Sequence, residues 1–244
     1  MKLVIDPNYQ SYADFLRRLP QLFAEGEGEV VYQKRNEVRR FQLDGMSLMV
    51  KRYKKVNALQ QVVYTFFRKT KACRAFLFAR EFRKRAIETP EEVAYLETTN
   101  RLGLFTVGYF VSREVEGTES HLLLREVKEY DPLLADAVAT QVVLMHSRGI
   151  LHGDLNLSNF LCREENGEYR FSMIDVNRSH FTEGWPTDDQ CIQNLVRITH
   201  RRDLYEYVIR AYARQRGWDE EKTFEKALKK LESFEHKGII RFYI

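Results

Sequence analysis

No stretch of the chain approaches the roughly eighteen consecutive apolar residues that a membrane-spanning helix needs, so no such helix is expected. The first residues, Met1-Lys2-Leu3-Val4-Ile5-Asp6-Pro7, meet an acid and a proline before a signal-like apolar core can form, and the expected location is the cytoplasm. Cysteine is scarce as well. Cys73, Cys162 and Cys191 stand far apart with no Cys-x-x-Cys pair, which predicts reduced, unligated thiols and no zinc site. Internal repeats and low-complexity tracts are absent. The net charge is only +4, so any charged partner must be sought in local patches. What is present is a globular composition: 244 residues, 44% of them hydrophobic, can bury a substantial core as one large domain or two small lobes.

The chemistry concentrates in Leu151-His152-Gly153-Asp154-Leu155-Asn156-Leu157-Ser158-Asn159-Phe160-Leu161, answered after a turn by Met173-Ile174-Asp175-Val176-Asn177. An aspartate, an asparagine five positions later, and a second aspartate ending a short apolar strand form the residue order of kinase-like phosphoryl transfer. Moving the γ-phosphoryl group of ATP to a hydroxyl needs a carboxylate that orients the hydroxyl and accepts its proton, the role assigned to Asp154. It also needs hard oxygen ligands for Mg²⁺, which Asp175 and the amide oxygen of Asn159 supply. The plainer reading is a hairpin of two buried strands with incidental turn residues, since Asp, Asn, Ser and Gly gather in turns. The spacing, the flanking apolar pairs Ile150-Leu151 and Phe160-Leu161, and the second aspartate together weigh against it.

Upstream, Tyr9 to Phe23 has helical spacing and is expected to break at Pro20. Val30-Val31-Tyr32, Val38 to Leu43 and Ser47 to Tyr53 read as an antiparallel meander of three short strands. Lys51, at the end of the third strand, sits where a phosphate-pairing lysine belongs; the alternative is a solvated lysine in the basic run with Arg52, Lys54 and Lys55. The loop Gln33-Lys34-Arg35-Asn36-Glu37 has no glycine, so its backbone is less free to wrap phosphates. Either the Arg35 and Asn36 side chains substitute, or the turn only connects strands.

From Lys51 to Arg85 there are twelve Lys/Arg and a single acid, Glu81. This local excess predicts an anionic partner: phospholipid head groups, a phosphorylated glycan or nucleic acid, against the plain alternative of a solvated face. Within it, Leu59, Val62, Val63, Tyr64, Phe66 and Phe67 either form an apolar surface able to enter a head-group region or pack against the amino lobe. Nucleic acid ranks lower, because no recognised nucleic-acid module surrounds the stacking candidates Tyr64, Phe66 and Phe67. Ala72 to Ala86 reads as a helix; Val93 to Glu97, Phe105 to Val111 and His121 to Val127 read as strands, the last leading into an interlobe hinge. Asp131-Pro132 opens a long helix ending near Val142 to His146. Asn166-Gly167 marks a hairpin, Thr187-Asp188-Asp189 a helix cap, and Asp219 to Phe234 a last amphipathic helix beyond Gly217.

His152-Gly153-Asp154-Leu155-Asn156 with Asn159, Ile174-Asp175-Val176-Asn177-Arg178, Val50-Lys51-Arg52-Tyr53 and Arg35-Asn36-Glu37-Val38 together resemble the bacterial lipopolysaccharide core kinases, which phosphorylate Kdo or heptose sugars. The resemblance runs from about Val30 to Arg197. It implies an α+β, two-lobed protein-kinase-like fold: a small antiparallel-sheet N-lobe over residues 1–126 and a mostly helical C-lobe over 127–244. It further implies ATP, Mg²⁺ and a lipid-linked sugar acceptor, for an enzyme peripheral at the inner membrane. Lys51 would hold the α- and β-phosphates, Asp154 act as base, and Asn159 and Asp175 ligate the metal.

Two features depart from the wider kinase pattern. Glu81 is the only acid on the expected N-lobe helix and an insecure match to its ion-pair glutamate, and Val176-Asn177 replaces Phe-Gly with no Ala-Pro-Glu after it. An aminoglycoside-type or protein kinase and a catalytically silent scaffold are the alternatives. The first is disfavoured by Val176-Asn177-Arg178 and the basic stretch, the scaffold by the intact Lys51, Asp154, Asn159 and Asp175. Oligomeric state is not legible.

Overall fold

The computed structural model describes residues 1–242, with side chains through His236; the last two residues of the expected C-lobe lie outside the described ones. The chain divides into two compact units, Met1–Lys84 with Thr89–Val115, and Arg85–Glu88 with Glu116–Ile244.

The first unit contains β1 (Lys2–Ile5), α1 (Ala13–Glu25), β2 (Glu29–Gln33), β3 (Glu37–Leu43), β4 (Met46–Arg52), α2 (Ala58–Phe66), α3 (Lys71–Lys84), β5 (Glu92–Thr99) and β6 (Phe105–Arg113). The strands form one antiparallel sheet in the order β1-β5-β6-β4-β3-β2. The expected meander is β2 to β4. β1 was not foreseen: its four residues pair with Ala94 to Glu97, far along the chain. Strand alternation gives the sheet two apolar faces. Leu48, Val50 and Phe41 meet Leu16, Leu19 and Phe23 of α1, while Tyr53 and Tyr95 meet Ala72, Cys73 and Phe76 of α3.

The expected break at Pro20 does not occur, and α1 runs through it to a left-handed Gly26 cap. An interior proline costs about 3 kcal/mol. Leu16, Leu19 and Phe23 offset it by lying on one buried stripe that holds both halves of the helix to the sheet.

The second unit contains β7 (Thr118–Glu119), α4 (Ser120–Leu124), α5 (Pro132–Ser147), β8 (Ile150–Leu151), β9 (Phe160–Glu165), β10 (Glu168–Met173), β11 (His180–Phe181), α6 (Asp188–Leu195), α7 (Arg202–Gln215) and α8 (Glu220–Phe242). The strand expected over His121 to Val127 is instead the short helix α4 followed by turns. Its three leucines are too short a run to distinguish strand from helix. Burial of Ser120 and Leu124, and the bond from Ser120 Oγ to the Phe160 carbonyl at 3.0 Å, settle it as helix.

Asp131 caps α5, its Oδ1 accepting from the Leu133 N–H at 2.9 Å, with Pro132 at the first helical position. Asn166 and Gly167 turn the β9–β10 hairpin with φ of 54° and 78°, the left-handed pair that a two-residue hairpin favours. Thr187 closes a capping box on α6 with Gln190. All three cysteines are free and buried. Among the described residues no helix is long and apolar enough to cross a membrane.

Candidate active site

Of the residues singled out in the sequence, Lys51, Arg35 and Asn36 belong to the first unit. Lys51 lies in β4 between Val38 of β3 and Phe110 of β6. Alternation puts its side chain on the face that α3 covers, and its Nζ is 5.7 Å from the Tyr53 ring centroid. Glu81 lies on α3, partly buried. Arg35 and Asn36 turn between β2 and β3 beside a cavity of about 370 Å³ that Lys34, Arg52, Lys54 and Lys55 also line. Asn36 Oδ1 accepts from the Lys54 backbone N–H at 3.2 Å, so that oxygen ties the turn to the chain after β4. Asn36 and exposed Arg35 both line this strongly basic concavity. Glu37, whose carboxylate pairs with Arg39 at 2.6 Å and with Arg52, offsets only part of the charge that Lys34, Arg35, Arg52, Lys54 and Lys55 bring to it.

Asp154, Asn159 and Asp175 belong to the second unit, on a loop braced through its main chain. Asn159 Nδ2 donates to the Asp154 carbonyl at 2.7 Å and Asn156 Nδ2 to the same oxygen at 3.1 Å. Asn156 Oδ1 accepts from the Ser158 N–H at 3.0 Å, forming a short cap that turns the loop. The Asn159 amide is thereby oriented, with its oxygen as the remaining acceptor. Asp175 carries φ of 57° and ψ of 36°, a left-handed conformation that a non-glycine residue adopts at a cost and that clusters at functional sites. The loop and the Asp175 segment are joined at two points. His152 Nε2 donates to the Ile174 carbonyl at 2.9 Å, and the Ile174 N–H donates to the Asn159 carbonyl at 3.0 Å.

Gly153 is where the two segments touch. A Cβ there would lie 2.0 Å from the Arg178 carbonyl oxygen, so alanine would push Asp154 and the 176–178 turn apart.

Two arginines not assigned from the sequence flank the Asp154 carboxylate: Arg197 Nη2 lies 2.9 Å from Oδ1 and Arg178 Nη1 3.3 Å from Oδ2. Both guanidinium groups are about half exposed, so positive charge surrounds the carboxylate and still faces solvent. Arg197 also stacks on the Phe234 ring at 5.7 Å.

The donor chemistry around Asp175 and Asn159 fits Mg²⁺, which is held by one or two protein oxygens and completes its shell with phosphates and water. Among the described residues no group of three or more His, Cys, Asp or Glu side chains would hold a metal without phosphates.

The Lipopolysaccharide kinase (Kdo/WaaP) family model matches residues 21–231. The chain belongs to this family. It is accordingly a kinase of lipopolysaccharide. The structure of WaaP in complex with acyl carrier protein shares the fold, with 20% identity and a TM-score of 0.58 over 97% of this chain and 98% of that one. WbdD with a kinase inhibitor aligns at 14% identity and a TM-score of 0.46 over 82% of this chain and 44% of that one. No curated protein sequence matches significantly. The α+β architecture, an antiparallel sheet unit and a mainly helical one, is the one expected from the sequence.

In this lipopolysaccharide kinase the Asp154 loop ends a partly buried chain of hydrogen bonds with a fixed direction. Arg216 has only donors, so its Nη1 donates to the Tyr212 hydroxyl at 2.8 Å and that hydroxyl donates to His146 Nδ1 at 2.8 Å. His146 Nε2 then donates to Asn194 Oδ1 at 3.1 Å, and Asn194 Nδ2 donates to the His152 carbonyl at 2.8 Å. Arg216 is stacked between Trp185 at 3.9 Å and Trp218 at 4.2 Å. A histidine closing an apolar helix is a weak sequence signal, and nothing in the sequence pairs it with Asn194 or Tyr212.

Both histidines are held neutral by burial, which pushes His146 down to about 4 from an ordinary 6.5 and also lowers His152. Above pH 6.5 neither the folded nor the unfolded histidine carries a proton, so neither affects stability. As the pH falls below 6.5 the unfolded chain takes up protons that the folded one refuses, and stability is lost. For His146 alone the loss from pH 7 to pH 5 should be about 2 kcal/mol. Urea unfolding at the two pH values measures it, and His146→Gln should reduce the difference by about that amount while leaving the part that His152 contributes.

Proposed function

We propose that this kinase transfers the γ-phosphoryl group of ATP to a hydroxyl of a Kdo or heptose residue in the lipopolysaccharide core, at the cytoplasmic face of the inner membrane. The acceptor oxygen bonds to the γ-phosphorus, the bond from that phosphorus to the β,γ-bridging oxygen breaks, ADP leaves with the electron pair, and Asp154 takes the hydroxyl proton. Lys51 neutralises the α- and β-phosphates, with Arg35 supplying further positive charge. Asn159 and Asp175 hold Mg²⁺, which offsets the charge that develops on the phosphates.

The observation that carries this reading is a loop carboxylate, 21% exposed, anchored by main-chain bonds and flanked by two half-exposed arginines. A base that serves a neutral alcohol has no need of two guanidinium groups beside it. An acceptor that is itself anionic does, because bidentate contacts of arginine to carboxylate or phosphate position it against the base. The carboxylate of Kdo, or a phosphate on the core, has that chemistry. The local basic excess from Lys51 to Arg85 supports work at an anionic lipid surface, which attracts nearby Lys and Arg by about 1 kcal/mol each.

Acceptor-dependent ADP release tests the reading, with Mg-ATP and lipid A bearing no core sugar, Kdo alone, or Kdo extended by heptose. Release that appears only with a sugar-bearing acceptor, and a KM for it that Arg197→Ala raises, is the expected result. Release that is the same with and without core sugars would remove the sugar from the proposal.

A further inference from the structure

The segment after Lys51 forms an outward-facing helix whose apolar side nothing in the described structure covers. Asn57 caps α2, its Oδ1 accepting from the Gln60 N–H at 2.9 Å. One side of the helix is tied to the first unit. Thr65 Oγ1 accepts from the Phe105 N–H at 2.9 Å, Gln61 Oε1 accepts from Asn100 Nδ2 at 3.1 Å, and Tyr64 stacks edge-on with Phe105 at 5.7 Å. None of the nine residues of α2 is buried. Leu59 is 75% exposed, Phe66 67% and Phe67 81%, with Val62 completing the stripe at helical spacing. The β5–β6 turn that Asn100 ties to α2 carries a further exposed leucine, Leu102, 83% exposed, beside exposed Arg101.

Charge identifies the occupant. Exposed Lys54 and Lys55 precede the helix and exposed Arg68 and Lys69 follow it, and no acid occurs between Asp44 and Glu81. Apolar and aromatic side chains rimmed by cations are the composition of a helix that lies in a lipid interface, aromatic groups among the acyl chains and cations among the phosphates. A protein core would have buried this stripe, and a monomer seldom leaves such a patch exposed without a use for it. We propose that α2 is a membrane-docking helix that inserts Leu59, Phe66 and Phe67 into an anionic phospholipid surface, with Lys54, Lys55, Arg68 and Lys69 on the head groups. It rests on the reading of a lipid-linked acceptor and names the element that brings the enzyme to it.

The test uses vesicles without ATP or sugar, so it stands or falls separately from the kinase assignment. Co-sedimentation is measured with vesicles of phosphatidylcholine alone and of phosphatidylcholine with phosphatidylglycerol, for the parent, for Leu59→Ser/Phe66→Ser/Phe67→Ser, and for Arg68→Glu/Lys69→Glu. The parent should bind the anionic vesicles at least about tenfold better than the neutral ones and be released by salt, and each variant should lose about tenfold in binding. Mg-ATP binding should be unchanged in both variants, which shows that they fold. A polarity-sensitive dye on Phe67→Cys should shift to the blue on anionic vesicles, which separates insertion from surface adsorption. Anionic-vesicle binding unaffected by the triple serine variant would overturn the proposal, as would no dye shift or no binding to either vesicle. So would a parent dimer that the serine variant dissolves, since the face would then be covered by a second copy.

Discussion

Asp154→Asn should abolish phosphoryl transfer while Mg-ATP still binds. A general base contributes of order 10²–10⁴ in rate, so turnover should fall by about that factor. The variant is a clean one. The loop is braced through the Asp154 carbonyl, which accepts from Asn156 and Asn159, and the substitution leaves that main-chain oxygen in place. What it removes besides the base is the charge facing Arg178 and Arg197. Those arginines are about half exposed, and pairs of that kind contribute only ~0–1 kcal/mol. Single-turnover kinetics with saturating Mg-ATP, alongside nucleotide titration, separate the two effects. Near-parental turnover would remove Asp154 from the chemistry.

Asp175 and Asn159 should act on the metal. Loss of either oxygen is expected to weaken Mg²⁺-dependent nucleotide binding and to lower turnover by about 10²–10³, as for a lost electrostatic contact to the transferring group. The backbone at Asp175 dictates the choice of variant. At φ of 57° asparagine is tolerated better than alanine, so Asp175→Asn removes the charge with less strain than Asp175→Ala. Asn159→Ala should have a compound effect, because it also deletes the 2.7 Å bond to the Asp154 carbonyl and so loosens the base. Lys51→Ala should weaken nucleotide binding without changing which divalent ion supports it. Titration of ATP with Mg²⁺ and with Mn²⁺ measures all of these. If the three positions bind nucleotide as the parent does, the metal and phosphate assignments are wrong.

The candidate loop around Asp154 stands out in the sequence because its signal is local. Asp154, Asn159 and Asp175 lie within a short span, and their residue types have few other uses at that spacing. β2 to β4 were legible for the same reason, each pairing with its neighbour in sequence. Contacts distant in sequence were not. β1 pairs with β5 across ninety residues or so, and Asp154 meets Arg178, 24 residues on, and Arg197, further still. The His146–Tyr212 bond spans 66 residues. Residue type alone cannot say which of 39 lysines and arginines will fold against Asp154. α4 was misread because a three-leucine run fits either period, and the Pro20 break because tertiary burial outweighed a local penalty. The apolar residues of α2 stayed ambiguous in the sequence, since composition cannot tell a core stripe from an interfacial one, whereas exposure can.

Phosphate gained by the acceptor tests the central claim most directly. Lipid A carrying core sugars is incubated with the kinase, ATP and Mg²⁺, and tandem mass spectrometry locates any added phosphoryl group. The account predicts one added phosphoryl group on a hydroxyl of a Kdo or heptose residue, dependent on Mg²⁺ and lost in Asp154→Asn. An acceptor of unchanged mass, or a phosphate that the Asp154→Asn variant adds equally well, would contradict it.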